Sequence, residues 1–219
     1  MDALIPESTD TLTRFWLIRH APIAPSSSHV INGQTDVAAE IGDIMTVANL
    51  AKVLPRKAHW YTSQLKRTRQ TARALAAAVG VDANIQKMNN LCEQSFGAWE
   101  GRSWNDLDPE SDPMVARFWA NPAETAPPGG EAYSAVVTRV SDALGELLAR
   151  HQGRNIIIVG HAGTIRAALD MALDDAMGIG LRFHIAPLSL TRLDATCIRG
   201  ENPNWQIRTV NTIYNGERP

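Results

Sequence analysis

Asn155-Ile156-Ile157-Ile158-Val159-Gly160-His161-Ala162-Gly163-Thr164 is the stretch on which the fold turns. Successive side chains of a strand point to opposite faces, so four consecutive β-branched residues require cover on both faces. That predicts an internal strand of a mostly parallel sheet. Gly160 to Thr164 then breaks the run, and Ile165, Ala168, Leu169, Ala172 and Leu173 recur at helical spacing.

Working outward, Phe15-Trp16-Leu17-Ile18 reads as a second buried strand and His59-Trp60-Tyr61-Thr62 as a third. A turn-rich loop, Pro22 to Asp36, follows the first, and Ala38 to Leu54 reads as a helix stopped by Pro55. After the third strand, Ser63 has the character of an N-cap; Leu65, Thr68, Ala72, Leu75, Ala76 and Val79 share one helical face, closed by Gly80. Residues 108–130 are rich in proline and glycine and read as an excursion over the core, with a short helix around Val115 to Trp119. From Glu131 to about His151 the stripe Val136, Val140, Ala143, Leu144, Leu147 predicts a long helix. Leu188 to Leu193 and Trp205 to Val210 are β-rich. Strands alternating with helices predict a three-layer α/β/α sandwich, residues 1–219 forming one domain.

Composition narrows the function classes. In 219 residues, 44% hydrophobic content is enough for a core and argues against disorder. Lys plus Arg is 21 and Asp plus Glu is 23, a net charge of −2, which predicts no general attraction to nucleic acid or to an acidic membrane. Cys92 and Cys197 cannot make a disulfide framework. Met1 to Ser8 lacks the basic start and apolar run of a signal peptide, and no segment approaches a membrane span, so a cytoplasmic protein is expected. There is no P-loop, no GxSxG, no HExxH and no CxxC, so neither a metal nor another cofactor is expected.

The chemistry lies at the strand ends. One strand ends Ile18-Arg19-His20 and another Val159-Gly160-His161. Ligands of open α/β sheets sit at the carboxyl ends of the strands, so both histidines are expected in one crevice. Arg67 falls in the first turn of the helix after Ser63, and a further helix starts near Gly163. Helix starts and guanidinium groups both favour a phosphate dianion.

These residues resemble the histidine phosphatase superfamily, also called phosphoglycerate mutase-like. The resemblance rests on Arg19-His20-Ala21; on Ser63-Gln64-Leu65-Lys66-Arg67-Thr68-Arg69-Gln70-Thr71-Ala72; on Glu93 to Gly101; on Pro128-Gly129-Gly130-Glu131; and on Val159 to Arg166, in family order. It implies that His20 is the nucleophile, forming a phosphohistidine, with its other ring nitrogen held by a backbone carbonyl. It implies that Arg19, Arg67 and His161 bind the phosphoryl oxygens and that Glu93 is the general acid and base. Glu100, seven residues on, competes with Glu93 for that role, and Glu131 reads equally as a site residue or as helix-dipole complement. Trp99 and Trp104 are read as pocket-mouth or packing residues. The chain departs from the family at Ala21, where glycine is usual.

The implied activity is hydrolysis of a small phosphorylated metabolite. A phosphoglycerate-type mutase and a noncatalytic phospho-ligand binder on the same fold stand as alternatives. The short excursion favours hydrolysis. The residues do not specify the leaving alcohol, the phosphate contact within 23–36, or the oligomeric state.

Overall fold

The computed structural model describes residues 11–174, 177–198 and 202–215; the reading of the amino terminus falls outside them. In chain order the strands and α-helices are β1 (Thr11–Arg19), α1 (Pro25–Ser28), α2 (Ile44–Val53), β2 (His59–Thr62), α3 (Lys66–Val79), β3 (Ile85–Lys87), α4 (Pro113–Ala120), α5 (Tyr133–Arg150), β4 (Asn155–Gly160), α6 (Ala162–Leu173), β5 (Leu190–Cys197) and β6 (Asn204–Thr212). They build one sheet in the order β3-β2-β4-β1-β5-β6. The first four strands of that order are parallel, and β5 and β6 extend it by antiparallel pairing.

The apolar run at 156–159 is divided between two layers. Ile156 and Ile158 pack with Phe15 and Leu17 against α5 and α6, through Val140, Leu144 and Ile165. Ile157 and Val159 pack with Ile18 and Trp60 against α2 and α3, through Leu50, Leu75 and Ala76. Each such side chain, removed from water, stabilises the fold by about 1.5–3 kcal/mol. The architecture is therefore the expected α/β/α sandwich. A smaller core of Ile31, Trp99, Leu107, Val115 and Phe118 supports the excursion. Among the described residues, no helix is long and apolar enough to cross a membrane.

Register sets the site. Arg19 pairs with Gly160 across β1 and β4, and Thr62 pairs with Val159 across β2 and β4. The residues that follow, His20, His161 and Ser63, therefore leave the sheet at one edge.

Two expectations change, and one strand is added. Residues 38–43 are not helical: Ala39 bridges to Ile23, and the Asp43 carboxylate accepts from Thr46 N at 2.9 Å, which starts α2 six residues later than predicted. Ser63 does not cap α3, whose N-cap is Leu65 without a side-chain bond. Asp36 takes that role from the preceding loop, accepting from Lys66 N at 2.6 Å. The added strand is the short edge strand β3, whose three residues carry too little pattern to be read from sequence.

Candidate active site

His20 leaves β1 with its backbone N–H bonded to Gly160 O at 3.0 Å, and its side chain is buried. Its Nδ1 lies 2.7 Å from Ala21 O. A carbonyl can only accept, so Nδ1 carries the proton and Nε2 keeps its lone pair. Burial, then the charges of Arg67 and Arg19, push its pKa down to about 3 against the opposing bond to Ala21. The imidazole is neutral at physiological pH. Ala21 is itself fully buried, its N–H donating to Thr71 Oγ1 at 2.9 Å.

His161 is the N-cap of α6 and has no exposed surface. Its ring meets that of His20 edge-on, with centroids 5.3 Å apart at 66°. Arg67 Nε donates to Nδ1 at 3.3 Å, which places the proton on Nε2, 2.8 Å from Ser63 Oγ. The Ser63 hydroxyl then donates to Thr68 Oγ1 at 3.0 Å, and Thr68 donates to Leu65 O at 2.9 Å. The serine predicted as a helix cap thus orients the second histidine. Burial, followed by the repulsion that a proton on His20 would exert and by the charges of Arg67 and Arg19, holds the pKa of His161 well below its ordinary value.

Arg67 is 2% exposed and stands at the second position of α3. Besides His161, it donates to Gly33 O at 2.6 Å and Thr35 O at 2.7 Å. Those carbonyls are presented by a loop clamped from the other side by Glu100, which accepts from Gln34 N at 3.0 Å, Thr35 N at 3.0 Å and Thr35 Oγ1 at 2.8 Å. Arg19 donates to Ile185 O, while its Nε is buried without a hydrogen bond among the described residues. Desolvation lowers the pKa of both arginines and the charge of Glu93 raises it; guanidinium groups remain charged.

Glu93 accepts from its neighbour's N–H, Gln94, at 2.9 Å and from Gly163 N at 3.1 Å. The start of α6 therefore holds this carboxylate, as Asp36 occupies the start of α3. The two helix starts, expected to favour a phosphate dianion, are met at those two donors by acidic side chains of the chain itself. Glu131 belongs to neither alternative read from sequence: it lies outside the cavity and before the first turn of α5, ion-paired to Arg139 at 2.9 Å. Arg139 also donates to Glu93 O at 3.1 Å and Cys92 O at 2.8 Å, fixing the segment that carries Glu93.

Arg19, His20, Arg67 and Glu93 line one cavity of about 690 Å³; His161, expected in the same crevice, is fully buried and does not line it, because its two ring nitrogens are taken by Arg67 and Ser63. Arg166 and Tyr133 also line it, and neither was singled out from sequence. Arg166 was legible: it follows Gly163 by three residues, which places it on the same side of α6. Its Nε donates to Phe183 O at 2.9 Å. Burial and Asp170 push the Tyr133 phenol pKa up, so its hydroxyl is a neutral donor. Trp104 lines the cavity, whereas Trp99 is packed in the small core.

The chain is similar to several known proteins. A bifunctional protein of Mycobacterium tuberculosis is 30% identical over 184 residues, 83% of this chain and 50% of that one. The chain thus spans about half the length of the curated relatives it matches at this level. A metal-independent phosphoserine phosphatase of Arabidopsis thaliana is 28% identical over 160 residues, 71% of this chain and 67% of that one. The solved alpha-ribazole phosphatase of Shigella flexneri superimposes with a TM-score of 0.77 at 22% identity, covering 94% of this chain and 100% of that one, a likeness of fold. The pattern of the histidine phosphatase superfamily, branch 1, runs through residues 15–212, from β1 to β6, and the chain belongs to that family.

Proposed function

We propose that the chain is a metal-independent phosphomonoesterase that hydrolyses a small phosphorylated metabolite through a phosphohistidine at His20. The observation that carries this reading is the 2.7 Å bond from His20 Nδ1 to Ala21 O, which leaves the Nε2 lone pair of a neutral ring in a cavity lined by Arg19, Arg67 and Glu93.

In the first step His20 Nε2 attacks phosphorus and the ester P–O bond breaks. Glu93, in its acid form, gives its proton to the leaving oxygen. The phosphorylated ring keeps its Nδ1 proton and so gains positive charge, which Ala21 O stabilises. In the second step water attacks phosphorus, the N–P bond breaks, and the Glu93 carboxylate takes the water's proton. Phosphate leaves and His20 returns neutral. Arg19 and Arg67 hold the charge on the phosphoryl oxygens through both transfers, and His161, whose Nδ1 accepts from Arg67 Nε, steadies that guanidinium from the buried side; such fixed donors need no reorganisation during the reaction. Relatives named as phosphoserine and alpha-ribazole phosphatases support a small phosphomonoester as the substrate class.

The test is hydrolysis of an aryl phosphate in excess EDTA. Turnover that disappears in His20→Ala, with a trapped phosphoenzyme in the wild type, supports the reading. Phosphate binding without turnover across a substrate panel overturns it in favour of a binder. A phosphoenzyme that passes its group to a second hydroxyl faster than to water overturns it in favour of a mutase.

A further inference from the structure

Trp104 and Trp119 are 40% and 51% exposed, yet both line the cavity that contains His20. Large apolar side chains left half in solvent beside a site mark a contact surface. They are held in place. The Trp104 ring lies 5.4 Å from Phe96, edge-on at 88°, and 5.7 Å from Trp119 at 54°. Phe118 packs against both tryptophans, at 6.3 Å and 5.5 Å, and is anchored below in the small core with Trp99 and Val115. Both backbone segments are capped: Ser103 and Asp106 form a reciprocal box around Trp104, and Asp112 accepts from Met114 N at the start of α4.

The wall made by Val30, Ile31, Phe96, Trp104, Phe118 and Trp119 offers hydrocarbon, π-faces and indole N–H groups. An apolar or aromatic group placed there leaves water without stranding a polar atom, while the polar side chains Ser28, Asn32 and Gln94 lie on the same cavity lining. The charged groups Arg19, Arg67, Glu93 and Arg166 lie elsewhere on the cavity lining. A volume of about 690 Å³ suits a molecule far larger than phosphate alone. Inclined aromatic rings accept the face or edge of a further ring.

We propose that the substrate is the phosphate ester of an alcohol bearing an aromatic or heteroaromatic ring, with that ring placed against Trp104 and Trp119 while the phosphate lies at His20. This rests on the hydrolytic reading for the position of the phosphate. It assigns the two tryptophans as specificity-determining residues.

The test compares 3-phenylpropyl phosphate, hexyl phosphate and glucose 6-phosphate, all esters of primary alcohols, for kcat/KM. The ring ester is expected to exceed both others by about tenfold, the scale of one good aromatic contact. Trp104→Leu with Trp119→Leu is expected to abolish that preference. Equal efficiency for the hexyl or sugar ester, or a ring preference that survives in the folded double variant, overturns the proposal. Calorimetric titration with 3-phenylpropylphosphonate and hexylphosphonate separates this proposal from the hydrolytic one. No turnover with ring-selective phosphonate binding defeats hydrolysis alone. Turnover without ring selectivity defeats the ring assignment alone, and absence of both defeats both. If the double variant unfolds, judged by circular dichroism, the phosphonate comparison on the wild type decides.

Discussion

Glu93 rests its carboxylate on the backbone N–H of Gly163 at 3.1 Å, in space that a β-carbon would occupy. A Cβ built on Gly163 would lie 2.2 Å from Glu93 Oε1. The glycine is required here by close approach rather than by backbone conformation, since its φ is not in the left-handed region. Its effect is to hold the Glu93 carboxylate by a main-chain donor at the positive end of α6.

Gly163→Ala is therefore expected to displace Glu93 while leaving His20, Arg19 and Arg67 in place. Aligned proton transfer contributes about 10²–10⁴-fold. Alkyl phosphates, whose leaving oxygens are basic, are expected to lose at least tenfold in kcat. Nitrophenyl phosphate, which needs little protonation, is expected to lose much less. The measurement is kcat against leaving-group pKa for wild type and variant. Parallel lines would show that Glu93 does not protonate the leaving group.

The sandwich, the edge at which the site lies and the residues His20, Arg67 and Glu93 in the cavity were legible because each depends on local pattern. The run at 156–159 announces a strand covered on both faces, and a histidine directly after such a strand must leave at its carboxyl end. What was not legible depends on partners distant in sequence. Asp36 starts α3 from thirty residues upstream, so Ser63 seemed to be the cap. Arg139 braces the backbone of Glu93 from the middle of α5, where its sequence neighbours suggest an ordinary helix surface. Trp99 and Trp104 were indistinguishable in sequence, and only the packing of the excursion buries one and exposes the other.

Arg67 supplies charge and also ties three segments together, so Arg67→Lys is not conservative. Lysine is a single point donor and cannot reach His161, Gly33 O and Thr35 O at once. Loss of one fixed oxyanion donor costs about 2.7–4 kcal/mol, or 10²–10³ in kcat. That loss is expected for Arg67→Lys, together with weaker inhibition by vanadate. Unchanged kcat/KM would remove Arg67 from phosphoryl binding.

The two buried histidines make stability fall with acidity. His20 is held at about 3 in the fold, against 6.5 for the ordinary group. Below pH 6.5 the unfolded chain takes up a proton that the fold refuses. Stability conferred by the neutral ring is therefore complete above pH 6.5 and declines as pH falls toward 3. Over that window His20 alone contributes a slope of about 1.4 kcal/mol per pH unit, and His161, shifted in the same direction, adds to it. Urea denaturation between pH 4 and 7 should show a slope shallower by about that amount in His20→Gln. Equal slopes would mean that the ring titrates normally in the fold.

Ala21 stands where the family usually has glycine, and the structure gives the methyl group a place. It is fully buried with Ile18, Leu50 and Leu188, and its backbone is outside the left-handed region, so glycine's conformational freedom is unused. Ala21→Gly removes a buried methyl, worth about 0.8 kcal/mol, and loosens the unfolded chain by about 0.4–1 kcal/mol. The expected loss is about 1–2 kcal/mol in urea denaturation. The bond from His20 Nδ1 goes to the backbone carbonyl, so the substitution keeps the acceptor but makes its position less fixed. For that reason kcat is not expected to rise. A variant that hydrolysed alkyl phosphates faster than the wild type would show that the methyl hinders the nucleophile, and that the chain trades rate for stability at this position.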